Sequence, residues 1–173
     1  MNTSMFRPLF SQTEWQTLQF TVLWLIRSVA RADGRIDSHE YKAMETLQKL
    51  AQNFKNDLAR EVMVSLASHL TTINNKFTLT FEDMKGKIDE IVDILEKKFN
   101  PRMALDFKKN ILAIALFVAN ASGYSPDTNS RIGTEEADMI SEIIHKLKMS
   151  QDDLNRPPSL DSMVKNFRVM LKS

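Results

Sequence analysis

The sequence predicts an all-α protein, a compact single-domain bundle of about seven helices built from two pseudo-symmetric halves. Three observations carry this. Four glycines and five prolines in 173 residues leave few breakers. Apolar and polar residues do not alternate over the length of a strand, so the helical period dominates. The chain also says nearly the same thing twice. Val29 to Glu40 reads VARADGRIDSHE, while Val118 to Gly123 and Arg131 to Glu136 read VANASG and RIGTEE around a seven-residue insertion, Tyr124 to Ser130. Each copy follows a strongly apolar stretch and precedes an amphipathic one, as expected of two related helical units about a pseudo-two-fold axis. The halves span about residues 12–70 and 81–149, and a C-terminal helix covers about 159–172.

The elements follow in order. Ser11 and Glu14 have capping-box spacing and open a helix to about Ala32, whose FTVLWLI stretch is apolar on every side and therefore central. Asp37 to about Phe54 forms a second helix, with Tyr41, Met44, Leu47, Leu50 and Ala51 as its core stripe. Asn56 or Asp57 caps a third, to about Leu70, and a polar stretch leads to a fourth over about Phe81 to Phe99 with Ile88, Ile91, Val92 and Leu95 on one face. Asn100 before Pro101 is a cap and first-turn pair, since proline's missing amide costs nothing there. The fifth helix, to about Ser122, carries ILAIALFVA and pairs with the first, so Leu23, Leu25, Ile26, Ile111, Ile114 and Leu116 should be mostly buried. A sixth runs from about Thr134 to Met149. A turn at Ser150 to Asn155 and the break at Pro157 and Pro158 precede the last helix, from Ser159. Its Met163, Val164, Phe167, Met170 and Leu171 form one apolar face, for docking on the body or for a partner or membrane.

Composition excludes several classes. At this length a core of ordinary size forms without staples. With no cysteine, disulfides, thiolate zinc sites and cysteine nucleophiles are out. Lys plus Arg is 23 against Asp plus Glu at 22, so no global field favours nucleic acid or an anionic membrane. The N-terminus does not read as a signal peptide. The longest apolar run, Ile111 to Ala119, is nine residues, well short of the roughly 20 that span a bilayer. The expectation is a cytoplasmic protein.

The acidic turn ADGRIDSHE is the candidate site. Asp33 ends one helix beside a glycine that permits a sharp turn, while Asp37 and Glu40 open the next on one face, about 5–6 Å apart at Cβ. Three carboxylates could converge on a divalent cation, calcium, magnesium or zinc. Calcium takes about 6–8 oxygens, so carbonyls, waters or the second copy would complete the shell. Asp37 with Glu40 is also a capping box, and acidic first-turn residues suit the helix dipole whatever else they do. Asp33, at the unfavourable end of a dipole, needs Arg31, Arg35 or a bound cation beside it.

The pattern Ala32, Asp33, Gly34, a basic residue, Ile36, Asp37 and Glu40 after an apolar helix resembles the signature of the tellurite-resistance TerB-like family, over about residues 18–150. The resemblance implies a helical bacterial protein without enzymatic activity, linked to tellurite resistance and stress response, whose acidic residues bind divalent metal. It also implies protein partners, a TerC-like integral membrane protein and TerD-like calcium-binding proteins, and hence a second location peripheral to the inner membrane. The second copy departs from the pattern. Ser122 and Gly133 stand where aspartates would be, and only Glu136 keeps its carboxylate. The site expected is Asp33, Asp37, Glu40 and Glu136, with Asp127 and Asn129 of the insertion as turn residues or substitute oxygen donors.

Other features read as structural. His39, His69 and His145 are expected at surface or boundary positions, and His39 with Asp33 and Asp37 is a lesser zinc set. Ten methionines read as core fillers, and Trp15 and Trp24 as core. EKKFNPR with Lys108 and Lys109 reads as a solvated helix end ahead of a phosphate binder. The competing function is a metal-free helical interaction module using the C-terminal helix or the 124–130 loop. An enzyme using the acidic pair is a distant third, since no second catalytic residue type stands beside it.

Overall fold

A computed structural model of the chain describes residues 4–30, 42, 45–47, 49, 51–67, 81–122 and 134–170. Within these, every regular element is helical: α1 Gln12–Ala30, α2 Asp57–Ala67, α3 Phe81–Lys98, α4 Pro101–Ser122, α5 Thr134–Lys146, α6 Gln151–Asn155 and α7 Leu160–Met170, with short 3₁₀ turns at Arg7–Leu9 and Ala51–Asn53. Lys42, Glu45, Thr46, Leu47 and Lys49, the described part of the expected second helix, are helical as well. Its Tyr41, Met44 and Leu50 lie outside the described residues.

The expected caps form. Ser11 and Glu14 exchange both bonds of a capping box, Ser11 N donating to Glu14 Oε2 at 2.7 Å and Glu14 N to Ser11 Oγ at 3.2 Å. Asn56 Oδ1 accepts from Ala59 N at 2.8 Å and Asn100 Oδ1 from Met103 N at 3.0 Å, each serving an amide that the helix cannot satisfy itself. Ser159 Oγ does the same for Ser162 N at 3.3 Å.

α1 and α4 share the most extensive contact in the bundle, and α1 also touches α2, α3 and α5. An apolar segment without a polar face can be satisfied only in that central place. Leu23, Leu25, Ile111 and Ile114 are buried and Leu116 is half-buried against the same core. The side chain of Ile26 lies outside those described. Polar groups that α1 carries into this core find partners: Thr17 Oγ1 donates to Glu90 Oε1 at 2.9 Å, and Gln19 Nε2 to Ser65 Oγ at 3.0 Å.

Cross-helix contacts fix the directions. Glu14 meets Lys98 at 3.1 Å and Thr17 meets Glu90 at 2.9 Å, so α1 and α3 run antiparallel. Lys85 meets Glu142 at 2.8 Å and Asp89 meets Lys146 at 2.9 Å, so α3 and α5 run parallel. Phe10 and Phe99, which precede α1 and α4, have ring centroids 5.8 Å apart, so those two helices start side by side.

Three expectations are corrected at the helix ends. The second helix does not continue regularly to Phe54, because Phe54 N bonds Ala51 O, three residues back, in a 3₁₀ turn. The sixth expected helix stops at Lys146 rather than Met149. Lys148, with φ of 52°, adopts the left-handed conformation, Met149 N reaches Ile144 O at 3.2 Å and Lys148 N reaches His145 O at 3.0 Å. That bonding is a Schellman stop, usually made by glycine. Ser150 to Asn155 is not a simple turn but the short helix α6, opened by a capping box in which Asp153 N donates to Ser150 Oγ at 3.2 Å and Ser150 N to Asp153 Oδ2 at 2.9 Å.

The C-terminal helix docks on the body. Met163, Val164 and Phe167 are buried, and the Phe167 ring sits 5.1 Å from Phe54 and 5.9 Å from Phe117. This part of the face offered to a partner or membrane is therefore spent within the chain. Among the described residues no helix is long and apolar enough to cross a membrane.

Ahead of α1, Glu61 on α2 gathers the N-terminal segment. Its carboxylate accepts from Ser4 Oγ at 2.6 Å, Met5 N at 2.6 Å, Phe6 N at 3.0 Å and Arg7 N at 3.2 Å. Burial alone would raise this carboxyl. The Ser4 hydroxyl and the three amides outweigh it and hold the group below the ordinary value of 4.5. A carboxyl lowered on folding contributes stability that is complete above the unfolded value and is lost as pH falls through the folded one. Glu61→Gln should therefore be less stable than wild type at neutral pH, and the difference should shrink below about pH 4.5. Denaturant melts at neutral and acid pH check this; a difference that stays constant would contradict it.

Candidate functional site

The acidic motif falls in sequence between α1 and the described helical residues that begin at Lys42. Asp33, Asp37 and Glu40 are outside the described residues, as are His39, His69, Asp127 and Asn129. Glu136 is the third residue of α5. Among the described residues no three His, Asp or Glu side chains lie close enough to hold a metal ion. What the described helices fix is where the motifs leave the bundle. α1 runs towards the end where α3 begins, α5 begins at that end because it parallels α3, and α4, which starts beside α1, runs into α5 through the insertion. The residue that precedes the first acidic motif and the helix that carries Glu136 thus face the same end of the molecule. A shared site would require a residue of the second half near that end; Glu136 lies in the first turn of α5, and α5 touches α1.

At the opposite end lies a groove of about 890 Å³, walled by the end of α3, the start of α4 and the segment from Lys148 to Pro158. The tract from Glu96 to Arg102 is exposed apart from half-buried Phe99, as expected of a solvated helix end, but the two lysines read with it are not. Lys108 and Lys109 are 6% and 2% exposed. They sit inside because α6 and the prolines after it fold over α4, an enclosure invisible in the local tract. Lys109 Nζ donates to Arg156 O at 2.6 Å and Pro158 O at 2.5 Å, clasping α4 to the strand of chain that leads into α7. Its burial pushes the ammonium below the ordinary lysine value; Asp106 opposes this, Arg156 adds to it, and Asp153 opposes it. Among the described residues Lys108 Nζ reaches only Glu96 Oε1, at 3.5 Å, and Glu96 is shared with Lys148 at 3.8 Å. Arg102 and Arg156 complete the basic lining.

Elsewhere the structure agrees with the structural readings. His145 is exposed, while Trp15 and Trp24 are buried. Met63, Met149 and Met163 fill the core, whereas Met5 and Met103 face outward. A second groove, of about 800 Å³, lies beside the N-terminal segment and is lined by Met5, Trp15, Arg60 and Val64 among others. Sequence reasoning passed over it because the Glu61 clamp that forms its wall joins residues more than fifty positions apart.

Compared with known proteins, the chain matches no family model, no curated protein and no solved structure.

Proposed function

We propose that the chain is a non-enzymatic TerB-like protein linked to tellurite resistance and stress response, which binds a divalent metal ion through the acidic motif, with Asp33, Asp37 and Glu40 as ligands and Glu136 as the contribution of the second half. The observation that supports this best is the shared end of the bundle, where α1 leaves towards Asp33 and the helix bearing Glu136 begins. A central pair of apolar helices, α1 and α4, each running into one copy of the motif, is the arrangement that two pseudo-symmetric halves need. The donor set is all carboxylate. That chemistry suits calcium or magnesium ahead of zinc, and the repeat's lost aspartates at Ser122 and Gly133 make the site asymmetric. On this reading the protein is cytoplasmic, meeting a TerC-like partner at the inner membrane and TerD-like calcium-binding proteins in solution. The docked C-terminal helix disfavours the competing interaction reading through that helix.

Asp37 separates capping from ligation. Asparagine caps about as well as aspartate, so without metal Asp37→Asn should cost little, and Asp37→Ala about 0.5–2 kcal/mol. With metal, both variants should lose most of the cation-induced rise in melting temperature, because a neutral amide oxygen replaces a carboxylate poorly. If asparagine matches wild type with and without calcium, magnesium and zinc, Asp37 is a cap alone and the site shrinks to Asp33 and Glu40.

A further inference from the structure

We propose that the groove between α3, α4 and the Lys148–Pro158 segment binds a small phosphate monoester carrying an apolar group. Five cationic side chains line it, Arg102, Lys108, Lys109, Lys148 and Arg156, against the carboxylates of Glu96, Asp106 and Asp153. The surplus of two positive charges matches a phosphate monoester, which carries about −1.5 to −2 at neutral pH, better than a carboxylate carrying one. Lys109 is already committed to two carbonyls. Lys108 is not. Its side chain is almost wholly buried, and among the described residues its ammonium meets one carboxylate, at the long distance of 3.5 Å, which is divided with Lys148. Half-exposed Glu96 can swing to water and leave both ammoniums to a phosphate, which accepts at several oxygens and so satisfies donors that one carboxylate reaches poorly.

Lys148 is the second observation. A helix stop with φ of 52° is glycine's place, and a lysine there carries a backbone cost that glycine would not. The lysine's gain is to set an ammonium at the groove wall, where strain retained at one residue is explained by a ligand. The remaining walls, Phe99, Leu105 and Pro157 among them, offer apolar surface for an organic group, and the volume of about 890 Å³ falls in the range of about 300–1,000 Å³ usual for small-molecule sites.

The site lies at the opposite end from the acidic motif, so it can be tested with a chelator present and stands whether or not the metal reading does. The full chain is melted at low ionic strength with millimolar phenyl phosphate, with benzoate and inorganic phosphate as controls, and affinities are taken by calorimetry. Phenyl phosphate should raise the melting temperature more than either control. Lys148→Gly should melt higher than wild type without ligand, because glycine relieves the left-handed backbone, yet bind phenyl phosphate about tenfold more weakly. Glu96→Gln should bind it more tightly. A variant that gains stability while losing ligand cannot owe the loss to misfolding. The proposal is overturned if phenyl phosphate does no more than benzoate at equal ionic strength, or if Lys148→Gly keeps the full ligand response.

Discussion

Replacing Phe167 by alanine is expected to cost about 3–5 kcal/mol, the range for removing a buried aromatic ring. Phe167 is 4% exposed and its ring is wedged between Phe54, which follows the 3₁₀ turn, and Phe117, in the second half of α4. Alanine would empty that space and remove two ring contacts together, leaving Met163, Val164 and half-buried Leu160 as the other core contacts of α7 among the described side chains. Of domain stabilities that run to about 5–15 kcal/mol, such a loss is a large share. Urea unfolding measures it directly. Limited proteolysis should show the chain cut earliest between α6 and α7. A cost below about 1 kcal/mol, with α7 still protected, would mean that the helix is only laid on the surface and that its apolar face is free for a partner after all.

Lys109→Met is expected to cost about 1–3 kcal/mol, and its cause is different. Methionine fills nearly the same space but donates nothing, so the carbonyls of Arg156 and Pro158 lose their shared ammonium. Those carbonyls belong to exposed residues and water can reach them, which keeps the cost below that of stranding two fully buried groups. Removing a charge from a desolvated place returns some of it. The informative reading is local: hydrogen exchange should accelerate in α6 and α7 more than in α1 or α3. Uniform loosening of the whole bundle would instead show that Lys109 supports the core packing of α4 rather than the clasp.

Most of the helical plan was legible because it is written in local spacing. Ser11 and Glu14, Asn56, Asn100 and Ser159 each cap the helix they announce, and the two segments with no polar face, FTVLWLI and ILAIALFVA, are the helices that pack together at the centre. The short helix after Ser150 was also within reach. Ser150 and Asp153 have the spacing of a capping box, the same local signal that marks the start of α1. The groove was not legible. Lys108 and Lys109 look like any solvated basic pair until a chain segment some fifty residues later closes over them, and no pattern within α4 announces that closure. The left-handed Lys148 is hidden for a related reason: the stop is set by backbone bonds to Ile144 and His145, while lysine is a residue that helices welcome. The candidate metal site sits between these cases. Its motif is plain in sequence, the helices around it converge on one end, and its first three carboxylates fall outside the described residues.

Calorimetric titration of calcium and magnesium into the full chain and into Asp33→Asn separates a metal-binding motif from a purely structural one. Asp33 comes three residues after Ala30 in sequence; near a helix C-terminus the dipole disfavours a carboxylate, and Arg31, Arg35 or a bound cation would offset its charge. Wild type should show one saturable binding event and a melting temperature that rises with metal concentration by mass action, and Asp33→Asn should lose both. Binding that is absent from wild type at millimolar metal, or that survives unchanged in Asp33→Asn, would contradict metal binding through Asp33.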